Sequence, residues 1–409
     1  MRRILIVGGG QSGLQLALSL LEYDYDVTVM TVRTADELFD GRAVSVQILY
    51  DDARRPEREY RLNFWDEKAP SIAGMRITAH DEQDQPVFDW TGWLDAPAQS
   101  VDERVKMSAW LRAFEERGGK VIIHGAASSD LDYLSRMFDL TIVAAGHSGL
   151  AEIFSVDTSR KLARMPQVAT AIAHIEDSEN HPDQNRVGVD LVPSVGHIIS
   201  WPTYSVRGRC RLLFVTGPTS GPLSRWPRQC PPQTHLDLML EVMREVFPLR
   251  YEDYRDARLA DDNAVAMDYA NPQVRHPVGQ LPSGRMVMGM GDTVVVTSPA
   301  LQQDANNASK AAEVYLKSIL EQGDRPFDED FMHRTFARYM DYAQYFTGEI
   351  AAALHEVSPY VVDMCLAADH RQQLADRFAN GFNDPADLGS WFAQESTTRA
   401  LIEQIPPDD

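Results

Sequence analysis

Three cysteines in 409 residues is few. Cys210, Cys230 and Cys365 lie far apart and none belongs to a C-x-x-C pair. That excludes a disulfide scaffold and a cysteine-based zinc site, and such usage suits a reducing cytoplasm. Positive charge is scarce too: 39 Lys and Arg against 60 Asp and Glu leave a net charge of −21. Phosphate backbones repel such a surface, so nucleic acid is not an expected partner. An anionic membrane is not expected either. No stretch approaches the ~20 apolar residues that span a bilayer. The opening MRRILIV begins like a secretory leader, but its apolar run stops at Gly8. Eleven histidines include no H-E-x-x-H, so no metal is expected. Internal repeats and low-complexity segments are missing. What remains reads as a soluble, cytoplasmic globular chain of two to three domains, at roughly 150 residues each.

The first thirty residues carry the clearest pattern. Ile4-Leu5-Ile6-Val7 is a β-branched apolar run that suits a strand buried on both faces. A glycine turn follows, then a leucine-rich helix from Leu14 to Glu22, then a strand at Asp26 to Thr31. Strand, turn, helix and strand make a βαβ unit. Its turn reads Gly8-x-Gly10-x-x-Gly13. Gly8 permits the tight turn, Gly10 lets a pyrophosphate approach the backbone, and Gly13 lets helix and strand pack closely. The N–H groups of the first helical turn, at Gln11 and Ser12, would face the anion. The acidic residue that usually ends the second strand is replaced by Thr31-Val32-Arg33, and Asp36 and Glu37 come late. Arg33 is therefore a candidate to lie over the adenine or the pyrophosphate.

A second α/β signal comprises a helix over 106–117 and strands at 121–123 and 139–146. Residues 155–285 differ: strands are expected at 168–174, 187–192, 197–201 and 210–215, with a helix at 236–246, punctuated by Pro and Gly. This reads as a mostly antiparallel sheet. A buried strand returns at 285–289, and helices are expected over 305–320, 331–354 and from Pro359 onward. The fold class is α/β. A Rossmann-type domain of 1–155 plus 280–330 would have its residues 40–100 partly on the substrate side. A substrate-binding sheet domain of 156–279 would cover it, and C-terminal helices of 331–409 would pack outside.

Gly289-Met290-Gly291-Asp292 ends a strand shortly before a helix. A carboxylate there could hold the ribityl hydroxyls of a flavin, and the helix N-terminus could face the flavin pyrimidine. A nicotinamide fold has no need of this distant half-site, so FAD is favoured over NAD. Arg104, opening a helix, could reach the FAD phosphates. Arg42, after Gly41, could serve the flavin side.

VGGGQSGL, VDERVKMSAWL, DLTIVAAG, GMGDTVVVTSPALQQDANNASKAA and ADRFANGFNDP together resemble the oxygenase component of the two-component styrene/indole monooxygenases. The resemblance covers nearly the whole chain. It implies the glutathione-reductase-like flavoprotein monooxygenase fold, FAD taken up reduced (FADH₂) from a separate NADH-dependent flavin reductase, and O₂ as cosubstrate. A flavin C4a-hydroperoxide would epoxidise indole, leading to indoxyl and indigo, or a styrene-like aryl alkene. No side chain would act as catalyst. It further implies that Pro299, Ala305 and Asn306 serve the flavin, and that Pro299 also borders the substrate. One dinucleotide fingerprint, with no Asp-Gly pair between 150 and 190, agrees with an external electron source. A homodimer is the one assembly considered.

Within the resemblance the substrate pocket follows Arg42. Strand alternation would put Ser45, Gln47 and Leu49 on one face. These residues and the small Ala98 resemble the indole-type branch, where Gln47 could bond an indole N–H. Trp201 shares a strand with His197 and could face the pocket. Departures are the missing Asp before Pro299 and Gln302-Gln303-Asp304 where the family has Gly-Gln-Gly. If turned inward, Asp304 would disfavour anionic reduced flavin. Two rivals follow: a self-sufficient NAD(P)H-dependent aromatic hydroxylase, and a flavin-binding paralogue without catalysis.

Overall fold

A computed structural model describes residues 1–44, 47–81, 85–146, 148–160, 168–192, 196–221, 226–227, 230–270, 272–356 and 358–408. The strands are β1 (Arg3–Val7), β2 (Asp26–Thr31), β3 (Ser71–His80), β4 (Pro86–Gln99), β5 (Lys120–Ile123), β6 (Leu140–Val143), β7 (Val168–Ile175) and β8 (Arg186–Val192). They continue as β9 (Gly196–Ser205), β10 (Gly208–Pro218), β11 (Val265–Ala270), β12 (Gln273–Val274), β13 (Val278–Gln280), β14 (Met286–Gly289) and β15 (Val295–Val296). The first helices are α1 (Gln11–Leu21), α2 (Ala35–Phe39), α3 (Asp51–Glu59), α4 (Glu103–Glu116), α5 (Ser128–Leu134), α6 (Pro232–Val246) and α7 (Pro248–Tyr254). Then come α8 (Asp304–Gln322), α9 (Glu329–Thr347), α10 (Glu349–Glu356), α11 (Pro359–Ala368), α12 (Gln372–Asn380), α13 (Pro385–Phe392) and α14 (Glu395–Gln404).

Two sheets dominate. The first runs β13-β14-β6-β1-β2-β5, parallel except for the β13–β14 pair. Its centre is the apolar run the sequence announced: Ile4, Leu5 and Ile6 are fully buried. Helix α1 packs between α4 and α8. β14 lies beside β6 although β7 to β11, five of the seven strands of the second sheet, intervene in sequence. The second sheet runs β11-β7-β10-β9-β8-β3-β4, antiparallel except where β3 meets β8. Its central strands are covered on both faces, so they read as continuous apolar runs rather than alternating ones. Leu212 and Phe214 of β10 face the C-terminal helices, while Leu213 and Val215 pack under α6 and α7.

Three expectations change. No strand spans 42–49: the described residues there are irregular, with one isolated bridge from Leu49 to Gln99. The single helix over 331–354 is two, α9 and α10, broken at Gly348, where a Cβ would lie 2.8 Å from Gln344 O. The C-terminal helices do not merely pack outside. Helix α12 covers the edge strand β4: Trp93 N and Asp95 N donate to the side chains of Asp376 (2.7 Å) and Asn380 (2.9 Å). Asn380 returns a hydrogen bond to Trp93 O (3.0 Å). An edge covered this way offers no row of unpaired backbone groups to another strand. The close approach needs Gly92, where a Cβ would overlap the Ala375 carbonyl.

Candidate functional site

The glycine turn lies between β1 and α1. Gly8 has φ +131, and a Cβ there would overlap the Ala144 carbonyl at the end of β6. A Cβ at Gly13 would overlap Gly8 O. At Gly10 a Cβ would meet only Glu103 Oε1, at 3.8 Å. Two glycines thus serve close packing and the third keeps a face of the turn open. Ser12 meets the distant Gly-Asp turn: Gly291 has φ +60, and a Cβ on it would lie 2.7 Å from Ser12 Oγ. The two half-sites, about two thirds of the chain apart in sequence, are in contact. Thr293 Oγ1 locks this turn by accepting from Ala145 N (3.0 Å). The Asp292 carboxyl is pushed well above its ordinary range, first by burial and then by the charges of Asp304, Glu103 and Asp268. Asp304 is half-buried and accepts a hydrogen bond from Thr297 Oγ1. Its charge therefore faces inward and is felt at Asp292.

The segment continues from this turn into the wall of a cavity. The cavity has a volume of about 290 Å³, at the small end of the ~300–1,000 Å³ usual for ligand pockets. Its walls come from the second sheet (Met75, Ile77, Val189, Ile199), from Ser298 to Gln302, and from Cys365, Phe378 and Phe382 of the C-terminal region. The ADRFANGFNDP stretch is thereby explained. Asp376 and Asn380 hold the edge strand, while Phe378 and Phe382 face the cavity.

The other anticipated residues are placed as follows. Gln11 donates to Gln15 (2.8 Å) and to Glu57 (3.3 Å), which also accepts from the buried Lys106. Arg33 is half-buried and Arg42 exposed. Arg104 does not offer a free guanidinium to the glycine turn. Asp102 (2.6 Å) and Asp261 (2.9 Å) occupy it, because a nearly buried cation needs carboxylate partners. The late acids are also in use: Asp36 pairs with Arg112, and Glu37 closes the capping box of α2 with Thr34.

On the substrate side, Ser45 lies outside the described residues. Ile48 and Tyr50 line the cavity, whereas Gln47 and Leu49 do not. Leu49 packs instead on Ala53 and Ala305. Without a strand there, alternation gave no guide to the facing. Ala98 is core beside Ile72. Trp201 is fully buried and donates to Ser100 Oγ (2.9 Å), a core role, while His197 lines the cavity. Pro299 begins the turn whose neighbours Ser298, Ala300 and Leu301 form the wall. Asn306 clamps the 48–50 segment, accepting from Tyr50 N (3.0 Å) and donating to Ile48 O (3.0 Å). The sequence reading passed over Asn307, buried with neither amide atom hydrogen-bonded. A second Asn beside a first carries no spacing signal, so only burial exposes it.

A family model described as "Styrene monooxygenase A putative substrate binding domain" matches residues 146–253. Styrene monooxygenase StyA of Pseudomonas fluorescens is 28% identical over 98% of this chain and 99% of its own length. The chain is thus similar to styrene monooxygenase A over nearly its whole length. Solved structures share the fold at low identity. A flavoprotein/dehydrogenase from Cytophaga hutchinsonii matches with TM-score 0.70 and 11% identity, covering 98% of this chain and 99% of that one. A single-site mutant of 2-methyl-3-hydroxypyridine-5-carboxylic acid oxygenase gives a TM-score of 0.62 and 16% identity, covering 91% of this chain and 97% of that one. The fold is thus the α/β fold of flavin-dependent monooxygenases and halogenases, with mixed sheets and C-terminal helices. Among the described residues no group of three side chains could hold a metal, and no single helix is long and apolar enough to cross a membrane.

Proposed function

We propose that this chain is the oxygenase component of a two-component flavin monooxygenase, and that it epoxidises indole or a styrene-like aryl alkene. The observation that carries the reading is one segment, 291–304. It joins the glycine turn, through the Gly291–Ser12 contact, to the wall of the apolar cavity. The residues fit FAD. The open face at Gly10, with the N–H groups of Gln11 and Ser12, would hold the diphosphate. Asp292 would meet the ribityl hydroxyls, and burial with the neighbouring acids raises its pKa above the ordinary carboxyl range. Reduced flavin, when bound, supplies the oxygen-transfer chemistry with dioxygen. The chain's own task is to exclude water and hold the aromatic ring. Ile77, Val189, Leu301, Phe378 and Phe382 do both in the cavity, and no side-chain acid or base is required there. The working domains are 1–155 plus 280–330, 156–279 and 331–409. A separate reductase supplies the electrons.

Purified protein given chemically reduced FAD and indole in air should form indoxyl and then blue indigo, and with styrene its epoxide. NADH alone should give no turnover. NADH oxidation by the unaided chain would replace the reading with a self-sufficient hydroxylase. Hydrogen peroxide with no organic product would leave a flavin-binding protein without catalysis, the outcome toward which the inward charge of Asp304 leans.

A further inference from the structure

A closed ring of buried hydrogen bonds ties together the helices around the glycine turn. Gln15 of α1 donates from Nε2 to Ser309 O of α8 (3.1 Å), a bond that only the nitrogen end can make to a carbonyl. Its Oε1 therefore accepts from Gln11 Nε2 (2.8 Å), which also donates to Glu57 Oε1 of α3 (3.3 Å). Both partners of Gln11 are acceptors, so its amide too can point only one way. Ser309 Oγ donates back to Ala53 O of α3 (2.6 Å). The path runs from α3 to α1, to α8 and to α3 again. The Glu57 charge is met by Lys106 of α4, and the two side chains are 3% and 1% exposed. Burial presses the Lys106 pKa down while Glu57 opposes the fall. Such a pair is weak support for stability, because apolar side chains of similar volume often serve as well or better. What it supplies is position: a fully connected buried network has one arrangement, where apolar faces can settle in several.

We propose that Glu57, held by Lys106, is a positioning residue for the flavin: through Gln11 it fixes the first turn of α1 against α8, so that the N–H groups of Gln11 and Ser12 meet the FAD diphosphate in one place. The inference rests on the reading of the glycine turn and the 291–304 segment as the FAD site. The ring joins the two helices whose N-termini face the two ends of that site, and neither Glu57 nor Lys106 touches the ligand. A donor that sits about 0.5 Å out of place no longer meets its acceptor well, so the ring's effect should show in affinity.

Two double variants separate position from stability, each read by urea unfolding, by affinity for oxidised FAD and by the visible circular dichroism of the bound flavin. Glu57→Leu with Lys106→Met removes both charges and the acceptor for Gln11. It should unfold at or above the wild-type urea midpoint. Its FAD affinity should fall about tenfold, the worth of one misaligned hydrogen bond to a charged group, and its flavin dichroism should change. Glu57→Gln with Lys106→Met also removes both charges but keeps the acceptor. It offers a donor as well to Gln11 Oε1, which is buried without a partner. Wild-type FAD affinity and dichroism should return in this variant. Unchanged FAD affinity in the first variant overturns the inference. So does an equal loss in both variants, which would make the charges and not the geometry responsible, or a fall in stability that parallels the loss of FAD, which would make the pair a structural prop. A wild type that binds no FAD defeats the FAD reading and the inference with it. If FAD binds and the two variants part as expected but reduced FAD yields no oxygenated product, the oxygenase reading fails and the role of Glu57 stands.

Discussion

At the glycine turn the backbone forms the site, and at the cavity side chains do. The turn keeps Gly8 and Gly13 without Cβ atoms because main chain passes where those atoms would be, and it keeps Gly10 bare beside open space. The cavity instead borrows single side chains from β3, β8, β9, the 298–302 segment and the C-terminal region. A backbone site tolerates no change at its contact points, whereas a side-chain cavity can be resurfaced residue by residue. The sharpest way to break this contrast is a pair of variants. Gly8→Val combines an overlap with the Ala144 carbonyl and a φ that valine avoids, so it should cost more than ~4–5 kcal/mol and give insoluble or unfolded protein. Gly10→Val meets only the far end of Glu103 and should fold with a wild-type melting temperature while losing FAD uptake. Retained FAD in Gly10→Val, or a well-folded Gly8→Val, would refute the division of labour among the three glycines.

The same contrast explains what was legible in advance. Gly8, Gly10 and Gly13 lie within six residues and their spacing is the signal, so turn, strand and helix could be read together. Gly291-Asp292 was readable because it ends a buried strand, although its contact with Ser12 was not. The cavity was harder. Ile48 and Tyr50 belong to a segment without strand periodicity, so alternation pointed to Gln47 and Leu49. Arg104 is equally instructive: its place at the start of α4 suggested a phosphate, but its partner Asp261 comes from a distant loop, 157 residues along the chain. Nor does any local pattern show that α12 covers an edge strand, since β4 is not its neighbour in sequence.

A second comparison lies within the large sheet. Its cavity face is apolar, whereas toward α7 it buries charge. Arg250 donates to Asp183 (2.9 Å), Asp190 (2.8 Å) and Asp253 (2.7 Å), and the Asp183 side chain is fully buried. Burial raises the Asp190 pKa while Arg250 opposes the rise. Removing one partner strands the others, so Arg250→Met should cost ~3–5 kcal/mol, read from urea unfolding midpoints. The deficit should shrink as pH falls. A carboxyl whose folded pKa lies above its unfolded value contributes stability at low pH and loses it as pH rises through the folded pKa. Without the guanidinium Asp190 moves further in that direction. A deficit that is equal at low and at neutral pH would show that the carboxylates find water instead.

The smallest expected effect isolates one group of that charged face. His181 is held neutral: burial, then the charges of Arg211, Arg250 and Arg76, bring its pKa down to about 3. Asp183 N donates to its Nδ1 (3.1 Å), and its ring lies 5.3 Å from that of Tyr254. The unfolded chain protonates it near the ordinary value of ~6.5. Its contribution is therefore fully present above about pH 6.5 and is lost as pH falls toward about 3. His181→Asn keeps an acceptor for Asp183 N and removes the titration. Between about pH 7.5 and 4.5 the wild type should lose about 2.7 kcal/mol more stability than this variant, at ~1.36 kcal/mol per pH unit below the unfolded pKa. His235, also held down to about 4 by burial, titrates in both proteins and cancels in the difference. Equal slopes in the two proteins would mean that the acid response comes from elsewhere. The charged face would then be stable because its arginines are paired, with no contribution from a histidine kept neutral among them.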